Sequence, residues 1–148
     1  MEPEDNWLEA EVVVCPGCGE RLFAVMHSPM CDDYRLYCER CPRAIEISFY
    51  DPMLRAEVDR LAGEKTWERV MGAIEPLLQP CQCGGCFLGL APRHCFTCGV
   101  EVPAAAGKDL SPYIGSEDGT RDPTEEEQAA FDRFEREFLG RERLWNQR

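Results

Sequence analysis

Ten cysteines occur in a chain of 148 residues, and eight of them arrive in four tight pairs: Cys15 with Cys18, Cys38 with Cys41, Cys81 with Cys83, and Cys95 with Cys98. Paired thiols at such spacing either form disulfides or hold metal, and the redox compartment decides between the two. Residues 1–11 carry five acidic side chains and no basic one, unlike the basic and then apolar start of an export signal. The longest aliphatic run is Val12, Val13 and Val14, far short of the roughly 18 apolar residues that a membrane-crossing helix needs. The expectation is a soluble cytoplasmic protein. In that reducing setting the paired cysteines read as metal ligands rather than disulfides.

Residues 19–37 separate the first pair from the second, a spacing that fits a four-cysteine zinc site. In such a site each pair sits on a tight turn whose amides face the sulfurs, and a glycine after the second cysteine takes a positive φ that a side chain would resist. Cys15-Pro16-Gly17-Cys18-Gly19 has all these parts. Cys38-Glu39-Arg40-Cys41-Pro42 lacks the glycine, so its turn must close in another way. The expected first site is therefore Cys15, Cys18, Cys38 and Cys41. Four sulfurs at about 2.3 Å fill a tetrahedron and leave no position for water or substrate, which makes the site structural. Over residues 12–50 the chain resembles a zinc ribbon, two cysteine knuckles joined by antiparallel strands. The resemblance implies metal binding and leaves function open, because zinc ribbons occur in transcription factors, ribosomal proteins, enzymes and adaptors. Between the knuckles, Cys31 reads as a small buried apolar group and His27 as a strand-end polar residue rather than as ligands.

Cys95-Phe96-Thr97-Cys98-Gly99 is again a complete knuckle, and its partner pair must come from Cys81, Cys83 and Cys86. Cys83 and Cys86 have the usual separation, but Phe87 follows Cys86. Cys81 and Cys83 are one residue closer, yet Gly84-Gly85 follows them and supplies the turn. This stretch resembles the shortened knuckle of some small bacterial zinc ribbons. The expected second site is Cys81, Cys83, Cys95 and Cys98, with Cys86 as the alternative to Cys81 and His94 as a further rival. Two structural zinc ions are the expected cofactors.

The fold class read from these patterns is α+β, with two small zinc ribbons of antiparallel strands, a central helical segment and a C-terminal helix. The expected divisions are 1–50 for the first ribbon, 51–80 for the helical segment, 81–103 for the second ribbon, 104–121 for a linker and 122–148 for the last helix. Strand signals at 12–14, 22–25, 34–37 and 45–50 point to one small antiparallel sheet. In the last of these, Ile45, Ile47 and Phe49 share one face and Glu46, Ser48 and Tyr50 the other, so one side is buried and one wet. Asp51-Pro52 opens a helix to about Ala62, with Leu54, Val58 and Leu61 on one stripe and Gly63 at its end. Residues 64–78 form a second amphipathic helix carrying Trp67, Val70, Met71, Ile74, Leu77 and Leu78. Residues 104–121 show no periodicity and read as a linker that Tyr113 and Ile114 could anchor. Asp122-Pro123-Thr124-Glu125 opens a charged helix through about Trp145, with Phe131, Phe134, Phe138 and Trp145 near one face.

The net charge is −12, and each tetrathiolate zinc site adds a formal −2. Nucleic-acid backbones are bound chiefly by Lys and Arg, so nucleic acid is a disfavoured partner and a basic protein a favoured one. No P-loop, dinucleotide fingerprint, nucleophile elbow or metalloprotease helix is present, and no βαβ pattern surrounds a pair of cysteines, so no enzyme is expected. The acidic stretches at 2–11 and at Glu125, Glu126 and Glu127 are the faces expected to meet a partner. The functional expectation is a zinc-stabilised binding module, an adaptor or an inhibitor of a basic protein, for which an immunity protein against a toxin is one concrete form. The alternatives are a transcription- or RNA-associated ribbon, supported by Arg35, Arg40, Arg43 and Arg93, and a metal-handling or redox protein, suggested by the surplus cysteines.

Overall fold

The computed structural model describes residues 10–25, 33–115, 122–140 and 145. His27, Cys31 and the acidic residues 2–9 fall outside these spans. Strands β1 (Ala10–Val14) and β2 (Arg21–Val25) form a hairpin across the first cysteine knuckle, and β3 (Asp33–Cys38) and β4 (Ala44–Ser48) form another across the second. The two hairpins do not share a sheet. A three-stranded sheet runs β1-β2-β6, with β6 being Asp109–Pro112, and a four-stranded sheet runs β5-β3-β4-β7, with β5 being Phe87–Leu88 and β7 Leu139–Gly140. The single sheet expected from the sequence is thus two, because β2 takes β6 as its second neighbour rather than β3. The class is α+β with antiparallel pairing throughout, except for the parallel contact of β7 with β4. In β4, Ile45 and Ile47 are buried while Ser48 is exposed and Tyr50 beyond it lies open, as the alternation predicts.

Helix α1 (Pro52–Arg60) starts where expected: the Asp51 carboxylate accepts from the amides of Met53 and Leu54, and Pro52 needs no donor at the first position. It stops short of Ala62 because Lys65 caps it from outside, its ammonium donating to the carbonyls of Val58 and Leu61. Helix α2 (Trp67–Ile74) is capped by the Thr66 hydroxyl and tightens into a 3₁₀ turn over Glu75–Leu77, where Pro76 removes a donor. Leu54 and Val58 of α1 and Val70, Met71 and Ile74 of α2 pack on Leu36, Ile45, Ile47 and Phe87 of the four-stranded sheet. A second core, around Val13, Leu22, Ala24, Val102 and Leu110, lies on the three-stranded sheet.

The segment expected as a linker contributes β6, an edge strand on β2, with the Tyr113 ring 4.8 Å from Phe23 and the Arg21 guanidinium over it. Helix α3 spans Glu125–Arg133, and its N-cap is Thr124 rather than Asp122, because Thr124 and Glu127 complete a reciprocal capping box. The helix does not run to Trp145. It widens into a π turn over Phe134–Phe138, where Phe96 packs against Phe134 and Phe138 and Arg43 takes the Glu137 carbonyl at 2.9 Å, and the chain then joins β4 as β7. Trp145 bridges to Leu78 and donates its indole N–H to Asp51. The C-terminal segment therefore packs on its own chain.

Candidate metal centres

Each knuckle closes on the same backbone bond. The amides of Cys15, Cys38 and Cys95 donate to the carbonyls of Glu20, Arg43 and Val100, each five residues on, at 2.9 Å. The Cys81 amide donates to Gly85, four residues on, at 2.8 Å. The shortened pair Cys81-Gln82-Cys83 is therefore a knuckle with one residue removed from the turn and its closing bond kept. Gly19 and Gly99 hold φ of 78° and 80° after their second cysteines, and Gly84 holds 97°. The closeness of approach adds a further demand, since a Cβ on Gly85 would stand 2.9 Å from Cys38 Sγ. Amides point inward at the sulfurs, with Gly17 N–H 3.3 Å from Cys15 Sγ, Thr97 N–H 3.4 Å from Cys95 Sγ and Arg40 N–H 3.4 Å from Cys38 Sγ.

The four knuckles pair in a nested order. Cys15, Cys18, Cys95 and Cys98 form one group and Cys38, Cys41, Cys81 and Cys83 the other, with all sulfurs in each group within 4.8 Å of one another. This corrects the expected sets, which joined Cys15 and Cys18 to Cys38 and Cys41, and Cys81 and Cys83 to Cys95 and Cys98. The physical reason lies in the strand pairing: β5 follows Cys81 and Cys83 directly and hydrogen-bonds to β3, Cys38 lying opposite Phe87, so the third knuckle is delivered to the second. The first and fourth are left to meet at the outer centre.

Spacing alone could not distinguish the pairings, but knuckle chemistry carried a signal. The two glycine-terminated Cys-x2-Cys knuckles pair with each other, and the two irregular ones pair with each other. Cys86, the alternative to Cys81, belongs to neither group and is exposed. His94 also stays out, its Nδ1 buried without a partner and its pKa lowered by desolvation.

The geometry fits a tetrahedral metal. Sulfurs about 2.3 Å from a zinc ion stand about 3.8 Å apart; Cys15 and Cys98 are 3.4 Å apart and Cys18 and Cys95 3.7 Å in the outer centre, Cys38 and Cys83 3.3 Å and Cys41 and Cys81 3.5 Å in the inner. These distances are too long for the ~2.05 Å of a disulfide. The first cysteine of each knuckle is buried in a core, while Cys18, Cys83 and Cys98 reach the surface. Their acidities show why a cation belongs there. Desolvation pushes Cys95 up to about 12, Cys38 up to about 11 and Cys41 higher still. Against the same desolvation, the amides of Cys18 and Gly17 hold Cys15 down at about 6, and the Gly85 amide leads in holding Cys83 at about 7. Buried thiols such as Cys38, Cys41 and Cys95 resist ionising, and a bound dication would offset two of the four thiolate charges in each group and so favour their ionised forms. The two groups of four cysteines are thus positioned to bind metal ions.

A family model described as "Domain of unknown function (DUF8255)" matches residues 11–103, well over half of the 148-residue chain and a span that holds all eight clustered cysteines. No curated protein and no solved structure matches the chain. Among the described residues, no helix is long and apolar enough to cross a membrane.

Proposed function

We propose, from the premise that the chain belongs to the family described as a domain of unknown function (DUF8255), that its two cysteine centres hold structural zinc and that the scaffold is a non-enzymatic module for binding a basic protein. The observation that carries this reading is the state of α3. Its N-terminus is fixed by the capping box and by Glu127, which also accepts from the Gly115 amide at 3.1 Å. Yet no residue within Glu125–Arg133 is buried, and Glu125 and Glu126 stand exposed in its first turn. A helix held firmly without covering its own face leaves that face available to a partner. The net charge of −12 gives the face its sign, and complementary charge accelerates encounter with a cationic surface.

Zinc is favoured because four thiolates at tetrahedral spacing are its characteristic donor set, and a filled set leaves no coordination position for a substrate. The setting is a reducing cytoplasm, where thiolates remain free to ligate. An inhibitor that covers the basic surface of another protein, as an immunity protein covers a toxin, is the finer form of the same reading.

Elemental analysis of the purified chain should give two zinc ions per molecule. Association with an Arg- and Lys-rich protein probe, followed by stopped flow, should slow steeply between about 50 and about 200 mM salt as charges are screened. Replacing Glu125 and Glu126 by Lys should slow it further with zinc content unchanged; Glu127 is left in place because the cap needs it. Submicromolar binding of DNA or RNA at physiological salt would overturn the protein-partner reading.

A further inference from the structure

Where β3 faces β6 lies a cavity of about 280 Å³ lined by Arg35, Trp67, Leu90, Arg93 and Asp109 among others. Two guanidiniums on one small cavity are conspicuous in a chain of net charge −12. Arg93 is the one buried charged side chain among the described residues, at 3% exposure. It is fixed from behind: Nε donates to the Lys108 carbonyl at 2.7 Å, Nη1 to the Ala91 carbonyl at 2.6 Å, and the Tyr37 ring lies 3.8 Å beneath it. Those acceptors are neutral, and the carboxylate that acts on the guanidinium through space is that of Asp109. Arg35 Nη2 donates to Glu46 at 2.6 Å, and its Nε is buried with no partner. A guanidinium carries five N–H donors, so both arginines keep capacity beyond these bonds.

The remaining walls are apolar and flat. Trp67 is pressed onto the backbone of Gly89, where a Cβ would stand 2.7 Å from the indole, so the ring is a rigid surface. Leu90 is 72% exposed at the rim, an apolar side chain with nothing to cover it among the described residues. Asp109 on the same wall disfavours a second negative charge on any occupant. The volume sits just below the ~300 Å³ at which sites for drug-sized molecules begin.

We infer that this cavity binds a small organic monocarboxylate with a flat apolar body, the carboxylate meeting Arg35 and Arg93 and the body lying between Trp67 and Leu90. Arginine suits the planar carboxylate because its fork matches two oxygens at once.

The test uses the full metal-loaded chain, ¹⁵N-labelled, titrated with benzoate to about 20 mM, a range suited to a fragment-sized ligand. Benzoate should shift the Arg35 Nε–H and Trp67 indole N–H signals together along one saturating curve. The neutral isostere benzyl alcohol, the dianion phthalate and inorganic phosphate should bind at least about tenfold more weakly. Arg35→Gln should weaken benzoate by roughly ten- to hundredfold, the loss expected for a hydrogen bond between charged groups. Leu90→Ser, at an exposed position that folding does not depend on, should weaken it severalfold with zinc content unchanged. Unmoved Arg35 and Trp67 signals, an equal response to benzyl alcohol, tighter binding of phthalate or phosphate, or unchanged affinity in Arg35→Gln and Leu90→Ser would each overturn the assignment.

Discussion

Cys81 and Cys86 are five residues apart beside the inner centre, and the backbone separates their fates. The Cys86 carbonyl accepts from Glu39 N–H at 3.0 Å and its amide donates to the Glu39 carboxylate at 2.9 Å, which carries the β3–β5 pairing one step further and leaves its thiol exposed. Cys81 is buried with its sulfur 3.5 Å from that of Cys41. Cys81→Ser should therefore cost the chain one metal ion in elemental analysis and Cys86→Ser none; loss of metal from Cys86→Ser would reverse the ligand assignment. The choice was readable beforehand from Gly84-Gly85, since a turn shortened by one residue needs backbone that can take positive φ. No comparable signal marked Tyr37. Its hydroxyl donates to Asp109 at 3.2 Å and accepts from the buried Leu110 amide at 3.1 Å, tying β3 of one sheet to β6 of the other. Tyr37→Phe strands that amide, and the expected loss is about 1–3 kcal/mol, measurable as a lower urea midpoint in the metal-loaded protein. An unchanged midpoint would mean that the two sheets are joined by something else.

At the scale of elements, local signals read well and long-range pairing did not. Both hairpins, the Asp51-Pro52 helix start and the Trp67–Ile74 stripe were legible because each rests on neighbours in sequence: a period of two, a cap, or a period near 3.6. Strand β6 was not, because Asp109, Ser111 and Pro112 are poor strand formers and only the open edge of β2 makes them one. The shortened C-terminal helix has the same origin, since Phe134 and Phe138 turn toward Phe96, a residue distant in sequence. Partition of the cysteines is the largest case of this kind, as knuckle spacing is blind to which hairpin a later strand will join. It also yields a clean test. Residues 33–88 contain β3, β4, α1, α2, β5, every buried residue of the inner core and all four inner ligands. That fragment should bind one metal ion with a four-thiolate charge-transfer spectrum when titrated with cobalt. Residues 1–50 hold one knuckle from each centre and should give no such spectrum at equal concentration. A tetrathiolate site in the shorter fragment would restore the sequential pairing.

For the whole molecule, nesting would make two metal ions bound at these centres cooperate even without direct contact. The outer centre joins positions 77 apart, Cys18 to Cys95, and the inner centre joins positions 40 apart, Cys41 to Cys81, within that stretch. Closing the inner loop first removes about half the chain that the outer must close. Loop-closure entropy changes by about 0.6 kcal/mol per doubling of length, equivalent to about a threefold change in affinity. The linkage is reciprocal, so the inner metal gains as much from the outer one. Contacts across the joint, where Tyr37 meets Asp109 and Arg93 lies over Tyr37, add to this minimum. Zinc affinity is read by competition with a chromophoric chelator in two double variants: Cys81→Ser with Cys83→Ser, which keeps the outer centre, and Cys95→Ser with Cys98→Ser, which keeps the inner. Each surviving centre should bind zinc at least about threefold more weakly than it does in the intact protein, and the two losses should agree, because both report one coupling free energy. Independent centres would instead let the half-proteins reproduce the native titration site by site, and unequal losses would point to damage from the substitutions rather than coupling through the chain.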